Sequence, residues 1–315
     1  MILPSCKPAR DSEINVSCLA DWGVRVTVCI AALCEDRKKI VIVSDNKVSF
    51  GDFSGDRAVF KMEVFFAHWI TLFAGDDIEQ IPFIIERAHE VLSTARRRKA
   101  SAPGPAQVAS AIQRAYDERL NAQIEAKVLR RFGYSAKSFQ QDGKRRCTAT
   151  VYNGLCSKIS NVNLSLRFLI AGFDEKRKGH ILVAGGEEAP RDYTPLGFMA
   201  IGSGANAALS SMIYHREKQH LSPSISQSQC VYIAAAAKFM AESASNVGDK
   251  STTIAVIGSD DSIKPVMDWE PIKQIWKREG APRLPENLDS RISPLIIAPD
   301  EAVEKALKRL EALKQ

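Results

Sequence analysis

Apolar and other residues alternate along the first part of the chain, with the two-residue period of half-buried strands. The alternation covers residues 24–31 and, after a polar turn, residues 40–44. These two segments predict a β-hairpin. A short strand is predicted at residues 58–62, and a further β-rich run covers residues 64–73. The first quarter of the chain is therefore predicted to be β structure.

The apolar period then changes to that of helices. Apolar residues follow a helical stripe over residues 78–95, and a second stripe covers residues 105–131 after a break rich in proline and glycine. Residues 132–146 are polar and have no clear period, so this stretch is predicted to be irregular.

Both periods recur in the second half of the chain. Strands are predicted at residues 162–171, 179–184, 198–201 and 251–257, and helices at residues 205–217 and 225–243. Strands do not alternate singly with helices, which disfavours a doubly wound parallel sheet. The order predicts an α+β fold in which two antiparallel sheets lie between pairs of helices.

The two ends of the chain differ from this pattern. Residues 1–26 carry charges and no apolar run, so they do not form a secretory signal peptide and are treated as a leader. Residues 263–315 are interrupted by prolines and are predicted to be an extended tail with an amphipathic helix from Pro299. That helix either docks on its own domain or binds a partner.

Composition narrows the class of protein. The chain is 45 % hydrophobic and 25 % charged, which is typical of a globular protein, and it has no run of eighteen apolar residues that predicts a membrane span. Its seven cysteines include no Cys-x-x-Cys pair, and its five histidines lack zinc-ligand spacing. We predict a cytoplasmic protein without a structural metal or a cofactor.

The positive charge is concentrated in one segment. The chain has 43 basic and 37 acidic residues, a net charge of +6, whereas residues 86–147 alone have fourteen basic and six acidic residues. A basic insertion is therefore placed at about residues 96–147. No aromatic interleaving supports stacking on bases, so we expect a solvated or partner-binding surface, and nucleic-acid binding is a distant alternative.

Candidate chemistry lies on the predicted strands. Thr27 is on the first strand, Asp45 ends the second, Lys61 is on the third and Gly75 ends the fourth. A lysine beside a threonine with a free α-amine lowers the pKa of that amine, which can then take the hydroxyl proton. The backbone N–H of Gly75 is a candidate oxyanion donor. Without a free amine, Asp45 and Lys61 are only a structural pair.

The motifs around these residues resemble a known family. They are Thr-Val-Cys-Ile at 27–30, Val-Ser-Asp-Asn-Lys at 43–47, Phe-Lys-Met at 60–62, Phe-Ala-Gly-Asp-Asp at 73–77 and Ala-Ile-Gly-Ser-Gly at 200–204. In this order the chain is similar to the β-subunit of the 20S proteasome and its bacterial relatives, which are N-terminal-nucleophile (Ntn) hydrolases. The resemblance implies a four-layer αββα sandwich over residues 27–262.

The same resemblance implies roles for individual residues. Thr27 would be the nucleophile and its α-amine the base, Lys61 with Asp45 would tune the amine, and Ser203 would support the hydrogen bonds of the site. Gly75 would supply the oxyanion donor. A peptide or protein substrate, a ring-like homo-oligomer and an unidentified unfoldase partner are implied as well.

Three departures from the family pattern qualify these roles. Thr27 and Asp45 are 18 residues apart, two more than in the family. Either the first hairpin is extended, or Cys29 stands where the threonine is expected and is the alternative nucleophile. The family's last Asp and Ser have no clean match, and the candidates for them are Ser245, Asp249 and Ser251. Val26 stands where self-processing relatives have glycine.

The function predicted from the sequence depends on the leader. Either residues 1–26 are removed by self-cleavage, or translation starts at codon 26 and the initiator methionine is then removed, and both routes expose Thr27. The expected function is then a threonine-type peptidase or amide hydrolase. If residues 1–26 stay attached, the alternative is a non-catalytic, proteasome-like structural subunit.

Overall fold

The computed structural model describes residues 27–46, 48–50, 53–55, 61–66, 68–99, 103–218, 222, 224–243, 247–248 and 251–281. Within them the chain is a mixed α/β protein with two five-stranded antiparallel sheets. The predicted leader, residues 1–26, lies outside the described residues.

The first sheet is built on the predicted hairpin, which is confirmed. Its strands are β1 (Cys29–Cys34), β2 (Lys39–Asp45), β10 (Phe198–Ile201), β11 (Thr252–Gly258) and β12 (Ile263–Pro265), in the order β10-β1-β2-β11-β12. Six of the seven residues of β2 are buried, and so is every residue of β1. This explains why both strands consist of nearly unbroken apolar residues.

A small hairpin and the second sheet follow along the chain. The hairpin pairs β3 (Val48–Phe50) with β4 (Phe53–Gly55). The second sheet has strands β5 (Met62–Phe66), β6 (Trp69–Gly75), β7 (Leu166–Phe173), β8 (Gly179–Ala184) and β9 (Arg191–Asp192), in sequential order.

The β-rich run predicted over residues 64–73 is β structure, but it consists of two strands, because the chain turns at His68 between β5 and β6. No glycine or proline marks this turn, so the sequence carries none of the usual turn signals.

The two sheets pack against each other through one apolar core. From the first sheet it contains Ala31, Leu33 and Ile42, and from the second Leu72 and Leu169, all with at most 2 % of their surface exposed. Burial of such side chains stabilises the fold by about 1.5–3 kcal/mol each.

Helices cover the outer faces of the sheets. Helices α1 (Ile81–Lys99) and α2 (Pro105–Ile124) bury their apolar stripes against the second sheet. Helices α5 (Ala205–Glu217) and α6 (Gln227–Ala241) pack against β10, β1 and β2 of the first sheet.

The stretch predicted to be irregular, residues 132–146, is largely helical, and that prediction is wrong. Helix α3 (Ala136–Arg146) begins after Ser135, whose hydroxyl accepts from the Ser138 N–H at 3.1 Å. Helix α4 (Ala149–Ser160) follows it. Only Phe139 and Gly143 of α3 are buried, so its apolar stripe is too short to show a helical period.

The predicted tail begins with regular structure. Strand β12 pairs with β11, and helix α7 (Glu270–Ile275) follows. A second unit begins at Gln274, and its described residues, 274–281, contain the π-helical turn Trp276–Gly280. The predicted helix from Pro299 lies outside the described residues. No helix among the described residues is long and apolar enough to cross a membrane.

Candidate active site

The open end of the first hairpin brings Thr27 and Asp45 together. Cys29 pairs with Ser44 in the β1–β2 register, so the next residue on each strand lies beside the other. The Asp45 N–H donates to the Val28 carbonyl at 3.2 Å, and the Val28 N–H donates to Asp45 Oδ1 at 3.0 Å. The hairpin therefore holds the Asp45 carboxylate next to the backbone that leads into Thr27.

Lys61 completes this arrangement from the second sheet. Its Nζ donates to Asp45 Oδ1 at 2.9 Å and to Thr27 Oγ1 at 2.7 Å. The side chain of Asp45 is fully buried and that of Lys61 is 6 % exposed, whereas Thr27 is half-buried. The ammonium group of this buried ion pair therefore donates one hydrogen bond to the Thr27 hydroxyl, which is partly exposed to solvent.

The turn after β10 fixes the backbone of Thr27. The Thr27 N–H donates to Ser203 Oγ at 3.3 Å, and the Gly204 N–H donates to the Thr27 carbonyl at 3.3 Å. Gly202 has a φ of +98°, and a Cβ there would lie 2.0 Å from the Thr27 carbonyl oxygen. Only glycine fits at position 202. The Gly202-x-Gly204 motif therefore allows the turn after β10 to approach the backbone of Thr27 closely.

Gly75 lies at the end of β6 on the same side of the molecule. The preceding residue, Ala74, has its Cβ 3.4 Å from the position that a Cβ on Gly202 would take. Gly75 itself has a φ of +143°, and a Cβ there would lie 1.8 Å from the Ser165 carbonyl oxygen. Thr27, Asp45, Lys61, Ser203 and Gly75, all predicted from the sequence, are therefore gathered at one end of the two sheets.

Cys29, the alternative nucleophile, points into the core between the sheets. Its Sγ donates to the Phe73 carbonyl at 3.4 Å, and burial raises the pKa of the thiol to about 12. A nucleophilic cysteine needs an accessible thiolate. The geometry therefore favours Thr27 over Cys29.

Of the three supporting candidates, Ser245 and Asp249 lie outside the described residues. Ser251 precedes β11, and its neighbour Thr252 stands opposite Asp45 in the β2–β11 register. The buried oxygens Ser251 Oγ, Thr252 Oγ1 and Asp45 Oδ2 have no hydrogen-bond partner within the described part of the chain. Thr252 was not predicted, because a threonine that starts a strand carries no functional signal.

A second buried lysine also escaped the sequence analysis. Lys238 on α6 is fully buried, and its Nζ donates to Glu242 Oε1 at 2.5 Å and to the Gly248 carbonyl at 2.7 Å. Lys273 pairs with the other oxygen of Glu242 at 2.8 Å. Lys238 and Glu242 are one helical turn apart, which is the spacing of an ordinary solvated pair, so no sequence signal marks the burial.

No group of three or more His, Cys, Asp or Glu residues suited to a metal ion occurs in the described ranges. No protein-family model matches the chain, and a search of curated proteins finds no match either.

Proposed function

We propose that the protein is an amide-bond hydrolase of the threonine type, with Thr27 as an N-terminal nucleophile. The observation that carries this proposal is the hydrogen-bonded chain from Asp45 through Lys61 to Thr27 Oγ1, with distances of 2.9 and 2.7 Å. A buried lysine that donates to a partly exposed hydroxyl favours an anionic oxygen at that position.

The reaction requires that the bond between residues 26 and 27 is cut. The free α-amine of Thr27 then takes the proton from Oγ1 while Oγ1 attacks the carbonyl carbon of an amide. The proton passes to the departing amine, which leaves an ester on Thr27. Water then cleaves this ester and restores the hydroxyl.

Neighbouring groups suit this chemistry. The ammonium of Lys61 stabilises negative charge that develops on Oγ1, and it favours the unprotonated form of a nearby α-amine. Ser203 Oγ lies 3.3 Å from the Thr27 nitrogen and would hold that amine in place. The Gly75 N–H remains the candidate donor to the oxyanion.

The packing of the elements supports an assignment to the Ntn hydrolases. Two sheets share a core and carry helix pairs on their outer faces, as expected of a four-layer αββα sandwich. The resemblance of the motifs to the proteasome β-subunit extends the proposal to a peptide or protein substrate, a ring-like homo-oligomer and a cytoplasmic location.

The mature N-terminus and the nucleophile are tested separately. Intact-mass spectrometry of protein made from the native gene determines whether the chain begins at Thr27. In a second preparation, a site-specific protease sequence replaces residues 21–26, so that digestion exposes Thr27. Hydrolysis of fluorogenic peptide amides is then measured for the exposed form and for its Thr27→Ser and Thr27→Ala variants.

We expect Thr27→Ala to lose at least about a thousandfold in kcat/KM and Thr27→Ser to stay within about tenfold, because serine keeps the attacking hydroxyl. Mass spectrometry of the exposed form should detect an acyl adduct on Thr27. Unchanged turnover in Thr27→Ala, or activity of a chain that retains residues 1–26, contradicts the proposal. The protein would then be a non-catalytic structural subunit, in which the Asp45–Lys61 pair only stabilises the fold.

A further inference from the structure

The segment after α2 carries a charge equal to that of the whole chain. Residues 125–161, here called the basic module, contain a π-helical turn (Glu125–Leu129), a 3-10 turn (Arg130–Phe132), α3 and α4. They include eight basic and two acidic residues, a net charge of +6, and the full chain also has a net charge of +6.

The basic module has a small core of its own. Val128, Leu129, Phe139 and Leu155 form a buried cluster together with Ile124 at the end of α2. The ring of Phe139 stacks on Tyr152 at 5.4 Å between centroids. The packing therefore does not depend on the charged residues, which all lie outside this core.

The exposed charges of the basic module have one sign. All eight basic residues are exposed, while Glu125 and Asp142 are half-buried. Glu125 accepts from the Ala136 N–H at 3.0 Å, and Asp142 pairs with Arg145 at 2.8 Å and with Arg146 at 3.3 Å. The other six cations have no carboxylate within 4 Å in the described part of the chain; they are Lys127, Arg130, Arg131, Lys137, Lys144 and Lys158.

On the neighbouring helix pair, by contrast, some of the exposed cations are paired. On α1 and α2, Arg87 and Arg114 both pair with Glu118, at 2.6 and 3.0 Å. Unpaired like charges repel one another and oppose compaction of the folded chain. A surface that keeps six of them therefore fits a partner that brings negative charge.

The chain that leaves the basic module leads to the strand end that carries Gly75. It leads through residues 162–165 into β7, and the Ser165 carbonyl approaches the position of a Cβ on Gly75 to 1.8 Å. The Asp76 N–H also donates to the Ser165 carbonyl, at 3.2 Å. The segment that connects the module to β7 thus contacts the strand end that carries the candidate oxyanion donor.

We propose that the basic module binds acidic segments of polypeptides. On the proposed function, on which this part of the inference rests, the module holds acidic regions of a substrate that is cleaved at Thr27. A polypeptide fits better than a nucleic acid because Phe139 and Tyr152 stack on each other, and the half-exposed Phe132 is a single ring rather than a series on which successive bases stack.

Binding is measured on the full chain carrying Thr27→Ala, so that no turnover occurs, by fluorescence anisotropy of a labelled glutamate-rich peptide. The Arg130→Glu/Arg131→Glu variant should raise Kd by at least about tenfold, and the affinity should fall steeply with salt. The matched control is Lys176→Glu/Lys264→Glu, which changes the net charge equally at exposed positions outside the module. It should raise Kd by less than about threefold.

Three results would overturn the inference. The first is that both double variants raise the Kd of the glutamate-rich peptide equally. The second is that the peptide does not bind in low salt, and the third is that a single-stranded oligonucleotide of the same charge binds more tightly than the peptide.

Hydrolysis by the exposed-Thr27 form separates this inference from the proposed function. If peptide binding depends on the module but the exposed-Thr27 form does not hydrolyse peptide amides, only the proposed hydrolase function is overturned. An active enzyme whose KM for acidic peptides does not change in Arg130→Glu/Arg131→Glu would overturn only the role of the module in substrate binding.

Discussion

Two buried lysines of this protein differ in what their ammonium groups contact. Lys61 donates to the carboxylate of Asp45 and to the hydroxyl of Thr27, which solvent reaches in part. Lys238 donates to Glu242 and to a backbone carbonyl at Gly248. The nearby rings of Phe239 and Trp269 lie 5.8 and 5.9 Å from its Nζ.

This comparison shows that burial of a lysine does not by itself indicate chemistry. The contacts of Lys238 are internal, and they connect α6 to the chain that follows it. Lys61 instead donates a hydrogen bond to the hydroxyl of Thr27, the candidate nucleophile. We therefore expect the two lysines to separate into one that governs activity and one that governs stability.

The largest expected effect is on activity, in the Asp45→Asn/Lys61→Met variant of the exposed-Thr27 form. Removing both charges together leaves no unpaired charge buried, so the fold should persist. We expect kcat/KM for peptide amides to fall by about a thousandfold or more, equivalent to about 4 kcal/mol. Circular dichroism checks folding in the same samples.

The matched variant for this experiment is Lys238→Met, which should change kcat/KM by less than about tenfold, because Lys238 donates to no reacting group. Equal losses of activity in the two variants would remove the distinction between the lysines.

The second expected effect is on stability, in Lys238→Met. The substitution removes one of the two cations that pair with Glu242 and leaves the Gly248 carbonyl without its donor. We expect the free energy of unfolding to fall by about 2–3 kcal/mol. Urea denaturation measures this change, and Lys176→Met, at an exposed site, should stay within about 0.5 kcal/mol of the wild type.

The smallest expected effect is a pH dependence. Burial lowers the pKa of Lys238 in the folded protein, although the hydrogen bond to Glu242 opposes this. Between the folded pKa and the unfolded value of about 10.4, the unfolded chain binds more protons at this site, so stability rises with pH. The free energy of unfolding of the wild type should therefore increase relative to that of Lys238→Met as pH rises towards 10.

Denaturation series at successive pH values provide this measurement. A relative decrease over the same range would mean that the ion pair with Glu242 outweighs the burial of Lys238.

Much of the candidate site was predictable because its residues lie at the ends of strands. Apolar alternation places Asp45 at the end of β2 and Gly75 at the end of β6. A charge among apolar residues singles out Lys61, although Lys61 directly precedes β5 and does not lie on a strand as predicted. Thr252 was not predictable in the same way. Its position opposite Asp45 follows from the pairing of strands more than 200 residues apart, which no local pattern encodes.

By itself, the sequence determined the strands of the first hairpin, the four main sheet-covering helices and the residues that could form an acid–base group. These features are local, because alternation and helical period depend only on neighbouring positions. Only the tertiary structure decided that Thr27 contacts Ser203 across 176 residues and that Lys61 reaches its hydroxyl. It also decided that Lys238 is buried rather than solvated, because desolvation depends on which distant segments pack together.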